Sequence, residues 1–233
     1  MDYPNAARTV GHANLTFRVA MSLKLTFLRH GQTSSSRDNV FCGSGLNPDL
    51  TPEGAQMAQQ FADFYASSDW QAIYASPLRR ARQTAEPISQ KSGLEVQVRD
   101  DLKEIAYGAW EGKTVAQVDE EYHDDHIRWT ADPAWNAPTG GETAIVIARR
   151  GLQVVEEIRE NISDGNVLIV SHKATIRIIL CSLLGIDVGR YRFRLGCPVG
   201  SISIIEFGDN GPLMRTLANR EHLDKHLREL PGT

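Results

Sequence analysis

The run NVLIVSH, residues 166–172, decides the fold class of this chain. Its apolar residues follow one another directly. A strand with one solvent-exposed face would instead show an alternation of polar and apolar side chains. Such a run is typical of a strand that is covered on both sides in a parallel sheet. The run LKLTFLRH, residues 23–30, likewise leads from apolar residues to a histidine. The two runs favour an α/β protein.

Outward from these runs, short apolar stretches alternate with amphipathic helical patterns. The helix at 51–65 has the clearest start, with Thr51 as N-cap and Pro52 at the first helical position. The alternation predicts a mainly parallel central sheet with helices on both faces. The predicted strands are 23–28, 70–76, 95–99, 166–171 and 201–207, and the predicted helices are 51–65, 78–91, 143–160 and 174–184.

The composition excludes several classes of protein. The chain has 233 residues, of which 41% are hydrophobic and 23% charged, as in ordinary globular proteins. A net charge of −4 argues against nucleic-acid binding, which needs a broadly basic surface. No stretch approaches the apolar length of a membrane span. Cys42, Cys181 and Cys197 lack CxxC spacing and indicate free thiols, so we expect a cytoplasmic protein without nucleic-acid or membrane partners.

We expect residues 21–233 to form a single domain, because no Ser/Gly-rich linker divides them. Residues 1–20 lack the apolar middle of a signal peptide and are expected to be a disordered extension, with Met21 as an alternative start. The less regular stretch 107–141 is expected to be a cap-like insertion packed by its own aromatic residues. Those residues include Tyr122, Trp129 and Trp135.

Polar side chains follow three of the predicted strands. Arg29 and His30 end the first, Arg80 comes shortly after the second, and His172 follows the fourth. Parallel strands place such ends on one edge of the sheet, where ligands bind. The planar guanidinium group of arginine can donate two hydrogen bonds at once to phosphate oxygens. A neutral imidazole can attack phosphorus when its other nitrogen is held by a hydrogen bond. These residues indicate phosphoryl transfer, with His30 or His172 as nucleophile and a buried carboxyl group to protonate the leaving group.

Five segments carry a resemblance to a known family. LRHGQT, SPLRRARQTA, LKEIAYGAWEGKT, PTGGET and VSHKATIR occur in this order between residues 23 and 207. Together they resemble the histidine phosphatase (phosphoglycerate mutase-like) superfamily. The resemblance implies a three-layer α/β/α sandwich, in agreement with the alternation of strands and helices.

The resemblance also implies a role for each matching residue. His30 would be the nucleophile that becomes phosphorylated, and Glu104 the proton donor. His172 would stabilise the transition state, and Gly31 would let the backbone approach the phosphate. The implied substrate-binding residues are Arg29, Gln32, Thr33, Arg80, Glu104 and His172.

Other charged residues near these motifs are expected to be structural. We interpret Arg79 and Arg82 as solvated helix charges, and Glu111 as a structural carboxylate. Lys173 stands where the family often has glycine, and we expect it to point to solvent rather than to add charge at the pocket rim. The segment 34–50 lacks the asparagine that mutases usually have six residues past the nucleophile, so the family's substrate contacts do not transfer to this loop or to Arg37.

The expected function is that of a phosphomonoesterase acting on a small phosphorylated metabolite through a phosphohistidine, without metal or cofactor. Phosphoserine or a phosphoglycerate-like or sugar phosphate is the first candidate substrate. One alternative is a cofactor-dependent phosphoglycerate mutase, which the compact 68-position separation of Glu104 and His172 disfavours. Another is a catalytically silent binding module.

The pairs His123/His126 and His222/His226 have spacings that a metal could use, but neither lies in an HExxH motif. The late strand and the C-terminal tail offer an edge for a homodimer.

Overall fold

A computed structural model describes residues 22–232. The predicted disordered extension at 1–20 lies outside the described residues. Six strands form one sheet, and each of the five predicted strands is present. They are β1 (Leu23–Arg29), β2 (Trp70–Ala75), β3 (Val96–Val98), β4 (Gly165–Ser171), β5 (Ile202–Gly208) and β6 (Gly211–Asn219).

The strand order across the sheet is β3-β2-β4-β1-β5-β6. The strands β1 to β4 run parallel to one another, whereas β5 runs antiparallel to both of its neighbours, β1 and β6. The sheet is therefore mixed but mainly parallel, as the sequence predicts. Its central part places β2, β4 and β1 side by side, so that three strand ends meet at one edge.

Helices cover both faces of this sheet. On one face, α2 (Pro52–Phe64) and α3 (Arg79–Ser92) pack against Leu168 and Val170 of β4. On the other face, α6 (Ala144–Asn161) and α7 (Lys173–Leu183) pack against Val167 and Ile169 of the same strand. Successive side chains of a strand point to opposite faces, so both faces of β4 are apolar and the run shows no alternation. The helices are α1 (Ser34–Arg37), α2 (Pro52–Phe64), α3 (Arg79–Ser92), α4 (Val115–Glu121), α5 (His123–Ala131), α6 (Ala144–Asn161), α7 (Lys173–Leu183), α8 (Tyr191–Arg194) and α9 (Lys225–Glu229).

Strand β6 is the element that sequence reasoning missed. It begins with Gly211-Pro212, a pair typical of turns, and its residues are only partly buried because it lies at the edge of the sheet. It pairs with β5 through a two-residue turn at Asp209 and Asn210. Tertiary pairing, rather than a strong local pattern, places it in the sheet.

Residues 107–141 lie beside the strand ends and carry α4 and α5. The backbone N–H of Glu142 donates to the carbonyl of Ala106 at 2.9 Å, and that of Ala109 donates to Thr139 at 2.9 Å, so the segment leaves and rejoins the core at one place. Its own core contains Trp110, Val118 and Trp129. Trp135 is 76% exposed, and the prediction that it packs the insertion is wrong, because it sits in the turn between α5 and α6 and faces outward.

Two further observations concern the described residues alone. Between residues 22 and 232, the structure contains no helix with the length and apolar character needed to cross a membrane. Cys42, Cys181 and Cys197 are all free thiols, as their spacing predicts.

Candidate active site

The ends of β1, β4 and β2 bring the predicted residues together. Arg29 pairs with Ser171 across the parallel ladder, and the backbone N–H of His30 donates to the carbonyl of Ser171 at 3.1 Å. His172 follows directly, and its ring centroid lies 5.1 Å from that of His30. The sheet itself therefore sets the spacing of the two histidines.

His30 is buried, and its ring has a fixed orientation. Its Nδ1 lies 2.7 Å from the carbonyl oxygen of Gly31. Because a carbonyl can only accept, Nδ1 carries the proton and Nε2 keeps its lone pair. Burial, with Arg80 and Arg29 beside the ring, holds the pKa of His30 well below its usual value. The imidazole is thus neutral at pH 7 and suited to nucleophilic attack.

Arg29 brings a buried positive charge to the same place. Its Nη1 donates to the carbonyl of Cys197 at 2.7 Å. Burial lowers the pKa of this guanidinium to about 10, so it stays charged at neutral pH. A buried cation next to a neutral histidine is suited to an anionic ligand.

Arg80 is held by the loop at residues 43–46. Its Nη1 and Nη2 donate to the carbonyls of Leu46 and Gly43, both at 3.0 Å, and its Nε donates to Nδ1 of His172 at 3.2 Å. Arg79, in contrast, is exposed and pairs with Asp49 at 3.4 Å, as a solvated helix charge does. The structure therefore distinguishes the two neighbouring arginines as the sequence predicts.

His172 has protein partners on both ring nitrogens. Since Nδ1 accepts from Arg80, the proton of the neutral ring is on Nε2, which donates to Oγ of Ser76 at 2.8 Å. Burial, followed by Arg80 and His30, holds the pKa of His172 well below its usual value. Ser76 was not selected from the sequence, although its position at the end of β2 is a signal that could have found it.

The Glu104 carboxylate lies against the start of α7. It accepts from the backbone N–H groups of Ala174 at 3.1 Å, Thr175 at 3.1 Å and Ile105 at 3.0 Å. Helix N-termini bind carboxylates in this way because their first N–H groups have no partner within the helix. The side chain of His172, the N-cap residue of α7, does not cap the helix, and Glu104 takes over this role from a distant segment.

Position 31 needs a glycine because a side chain there would clash with a neighbouring helix, and not because the backbone must come close to a ligand. Its N–H donates to Oγ1 of Thr84 at 3.0 Å, and Thr84 in turn donates to the carbonyl of Arg80 at 2.7 Å. A Cβ at position 31 would overlap the carbonyl oxygen of Gly54, near the start of α2. This corrects the expected role, since the N–H of Gly31 already has a protein partner.

Gln32 and Thr33, both predicted to bind substrate, face different parts of the structure. Thr33 lines the cavity described below, and its Oγ1 caps α1 by accepting from Ser36. Gln32 does not line that cavity. Its amide nitrogen donates to the carbonyl of Pro231 at 2.6 Å, and its oxygen accepts from Thr51 at 3.0 Å. The structure therefore gives no support for Gln32 as a substrate contact, because its side chain ties the loop to the C-terminal segment.

A cavity of about 150 Å³ opens over the strand ends. This is smaller than the roughly 300–1,000 Å³ of pockets for drug-sized ligands. Lys173, which was expected to point to solvent, lines the cavity and is half-buried. The expectation is wrong because α7 starts directly at the cavity floor, so its first residue turns inward. The lining also includes Arg29, His30, Arg80, Glu104, Tyr107, Trp129, Arg177, Tyr191 and Arg192.

The remaining predicted positions lie away from this cavity or support its wall. Arg37 is exposed and pairs with Asp38 at 2.9 Å. Glu111 accepts from the N–H of Gly45 at 2.9 Å and so braces the loop that holds Arg80. His123 and His126 both lie against Asp119. Throughout residues 22–232, there is no group of three or more His, Cys, Asp or Glu side chains that could hold a metal ion.

Comparison with known proteins places this geometry in a family. The sequence pattern of the histidine phosphatase superfamily (branch 1) matches residues 25–220. Phosphoserine phosphatase 1 of Hydrogenobacter thermophilus is 31% identical over 201 residues, which cover 86% of this chain and 94% of that protein. An uncharacterised protein of Mycobacterium bovis is 35% identical over 199 residues, which cover 84% of this chain and 54% of that protein.

A solved structure shows the same architecture. The structure of a mycobacterial glucosyl-3-phosphoglycerate phosphatase superposes with a TM-score of 0.77 at 26% identity, covering 85% of this chain and 100% of that chain. The predicted fold, a three-layer sandwich with a mainly parallel sheet, is therefore confirmed.

Proposed function

The chain belongs to the histidine phosphatase superfamily (branch 1), and from that premise we propose that it hydrolyses a small phosphorylated metabolite through a phosphohistidine at His30. The observation that carries the proposal is the hydrogen bond from Nδ1 of His30 to the carbonyl of Gly31. It leaves the other ring nitrogen with its lone pair at a place surrounded by buried arginines. The first candidate substrates are phosphoserine and phosphoglycerate-like or sugar phosphates, consistent with the phosphoserine phosphatase and glucosyl-3-phosphoglycerate phosphatase among the similar proteins.

The proposed reaction has two steps. In the first, Nε2 of His30 forms a bond to phosphorus while the bond from phosphorus to the ester oxygen breaks, and Glu104 gives a proton to the leaving alkoxide. In the second, the oxygen of a water molecule forms a bond to phosphorus while the bond from phosphorus to Nε2 of His30 breaks and its electron pair returns to the imidazole; Glu104 takes a proton from the water, and inorganic phosphate is released. Arg29 and Arg80 supply positive charge to the phosphoryl oxygens in both steps.

Arg80 and His172 act as a coupled pair in this proposal. Each nitrogen of the Arg80 guanidinium is already bonded to the protein, one of them to His172. Nη1 and Nη2 each keep a second N–H, so two donors of Arg80 remain for phosphate oxygens. The bond from Nε holds the His172 ring in place beside His30.

The proposal extends to the setting of the reaction. We propose that residues 21–233 act as one domain, with 107–141 as a cap over the cavity, and that catalysis needs neither a metal nor a cofactor. The three free cysteines suit a reducing, cytoplasmic compartment. Nucleic acid and membranes are not expected partners. Strand β6 lies at the sheet edge with Leu213 and Leu217 exposed, and pairing there would give a homodimer.

Phosphate release from a panel of phosphorylated metabolites, with EDTA present, tests the proposed function. We expect hydrolysis of at least one member, and a loss of about 10⁴-fold or more in His30→Ala, because a missing nucleophile cannot be replaced. The matched control is His226→Ala, which changes an exposed histidine. A ³²P-labelled substrate should label the wild-type protein and not His30→Ala.

Three outcomes would contradict this proposal. Loss of activity in EDTA would exclude the metal-free mechanism. Isomerisation of 3-phosphoglycerate in the presence of bisphosphoglycerate, without net release of phosphate, would favour a mutase. Absence of activity on a generic aryl phosphate, unchanged in His30→Ala, would favour a silent binding module.

A further inference from the structure

The cavity contains more positive charge than one phosphate requires. Five cationic side chains line it, and Glu104 is its only carboxylate among the described residues. Arg29 and Arg80 are the two cations next to His30, where they lower its pKa. Three further cations therefore remain. They are Lys173, Arg177 and Arg192.

These three cations are not neutralised by the protein. Within the part of the chain that the structure describes, none of them forms an ion pair with a carboxylate. Lys173 and Arg177 lie one helical turn apart at the start of α7, and Arg177 is only 8% exposed. Like charges collected in a buried place repel one another, and an anion that binds between them relieves this cost.

Aromatic rings and backbone carbonyls hold the guanidinium groups in place. Arg192 stacks over Trp129 with Cζ 3.9 Å from the ring centroid, and Arg177 lies 4.9 Å from the ring centroid of Tyr191. Arg177 also donates to the carbonyls of Lys173 at 3.0 Å and Arg192 at 3.4 Å. These contacts use only some of the five N–H donors of each guanidinium, so donors remain for a ligand while the planar groups are already oriented.

We propose that Lys173, Arg177 and Arg192 form a second anion-binding subsite in the cavity, and that the substrate carries a carboxylate close to its phosphate ester. The inference rests on the proposed function, because it assigns the phosphate to the end of the cavity at His30. A carboxylate can accept paired hydrogen bonds from the planar guanidinium groups of the two arginines. The small cavity volume favours this compact group over a second phosphate.

Competitive inhibition of p-nitrophenyl phosphate hydrolysis tests the subsite with two matched pairs of compounds. Phosphoserine is compared with phosphoethanolamine, and 3-phosphoglycerate with glycerol 3-phosphate, so each pair differs by a carboxylate. We expect the carboxylate-bearing member to bind about 10- to 100-fold more tightly to the wild-type protein, as for a charge-assisted contact. In Arg177→Met and in Lys173→Met, this ratio should fall toward unity.

The ratio within a pair is the measured quantity, so that a change in turnover of the variants does not affect the conclusion. Arg159→Met is the matched control, because Arg159 is exposed and pairs with Glu156 outside the cavity. Lys173→Met serves as the second variant should the buried Arg177→Met fail to fold, which thermal melting will show.

The failure of the subsite and the failure of the proposed function are distinguishable. Hydrolysis of p-nitrophenyl phosphate that depends on His30, without any preference for the carboxylate, would overturn the subsite alone. The same holds if the preference survives in Lys173→Met and Arg177→Met. Absence of hydrolysis that depends on His30 would overturn the proposed function, and with it the inference that rests on it.

Discussion

The two ends of the cavity are built in different ways. At the strand end, His30, Arg80 and His172 are held by hydrogen bonds to backbone atoms, to hydroxyls or to one another. At the other end, called the cap end because Trp129 of the proposed cap lies there, Arg177 and Arg192 stack on aromatic rings, and Arg177 also donates to two backbone carbonyls. One end is therefore fixed by the sheet, while the other depends on how surrounding segments pack.

This difference suggests that the groups that react and the groups that select the substrate lie at different ends of the cavity. Groups that must be placed accurately for bond formation lie on the rigid scaffold, as catalysis requires. In the proposal above, the groups that recognise the rest of the substrate lie on α7 and α8, which pack together beside the strand ends. Changes at the strand end should affect every substrate, and changes at the cap end should affect the choice among substrates.

After the loss of the nucleophile itself, the largest effect is expected for Glu104→Gln at the strand end. Removing the proton donor should lower kcat for an alkyl phosphate by about 10²- to 10⁴-fold. The loss should be far smaller for p-nitrophenyl phosphate, whose leaving group needs no proton. Steady-state kinetics with both substrates measure the difference, and Glu160→Gln, at an exposed position, is the control. Equal losses on both substrates would assign Glu104 to positioning the start of α7 instead.

A smaller effect is expected when the backbone of the strand end is disturbed. Gly31→Ala places a Cβ against the carbonyl of Gly54, and we expect the free energy of unfolding to fall by about 1–3 kcal/mol, as for other overpacked sites. Urea denaturation measures this change. Gly208→Ala is the control, because its Cβ would meet nothing within 4 Å. An unchanged midpoint in Gly31→Ala would show that α2 can move aside.

The smallest effect is expected for the pH dependence of anion binding beside Lys173, at the cap end. Burial, then Arg29 and Arg177, lowers the pKa of Lys173 to about 8, although Cys197 and Glu104 act in the opposite direction. The ammonium loses its charge as the pH rises through this value, so binding of an anion should weaken. We expect the inhibition constant of 3-phosphoglycerate to rise about three- to tenfold between about pH 7 and about pH 9.

Lys173→Met provides the control for this pH dependence. Since 3-phosphoglycerate itself is fully ionised over that range, its titration does not contribute. The variant should show weak inhibition that changes little with pH. A rise in the inhibition constant of the same size in both proteins would assign the titration to another group.

The sequence predicts the strand end better than the cap end, for a physical reason. Arg29, His30 and His172 directly follow apolar strands, and Arg80 follows the second strand closely, so local pattern and parallel topology suffice to bring them together. Arg177 and Arg192 reach the cavity only because α7 and α8 pack together beside it. The four-residue spacing of Lys173 and Arg177 indicates a shared helix face, but the pattern alone does not show that this face looks inward.

Gln32 and β6 illustrate the same limit. Gln32 adjoins the nucleophile loop in sequence, yet its side chain turns to the carbonyl of Pro231, a contact between residues far apart in the chain. Strand β6 begins with turn residues and has no regular alternation of apolar and polar residues, and it is specified by pairing with β5. Both depend on long-range contacts, which no local pattern encodes.

The closure of segment 107–141 has a consequence for how such enzymes can diversify. The hydrogen bonds from Glu142 to Ala106 and from Ala109 to Thr139 bring its two ends together. The segment can therefore be replaced as one continuous piece without moving the strands of the sheet. A chimera that carries the corresponding segment of a relative should keep the same reaction and the three cations on α7 and α8, and should change only the part of the cavity wall that includes Tyr107, Val115 and Trp129. New specificities can thus arise by exchange of one continuous piece of gene, while the reacting groups are inherited intact.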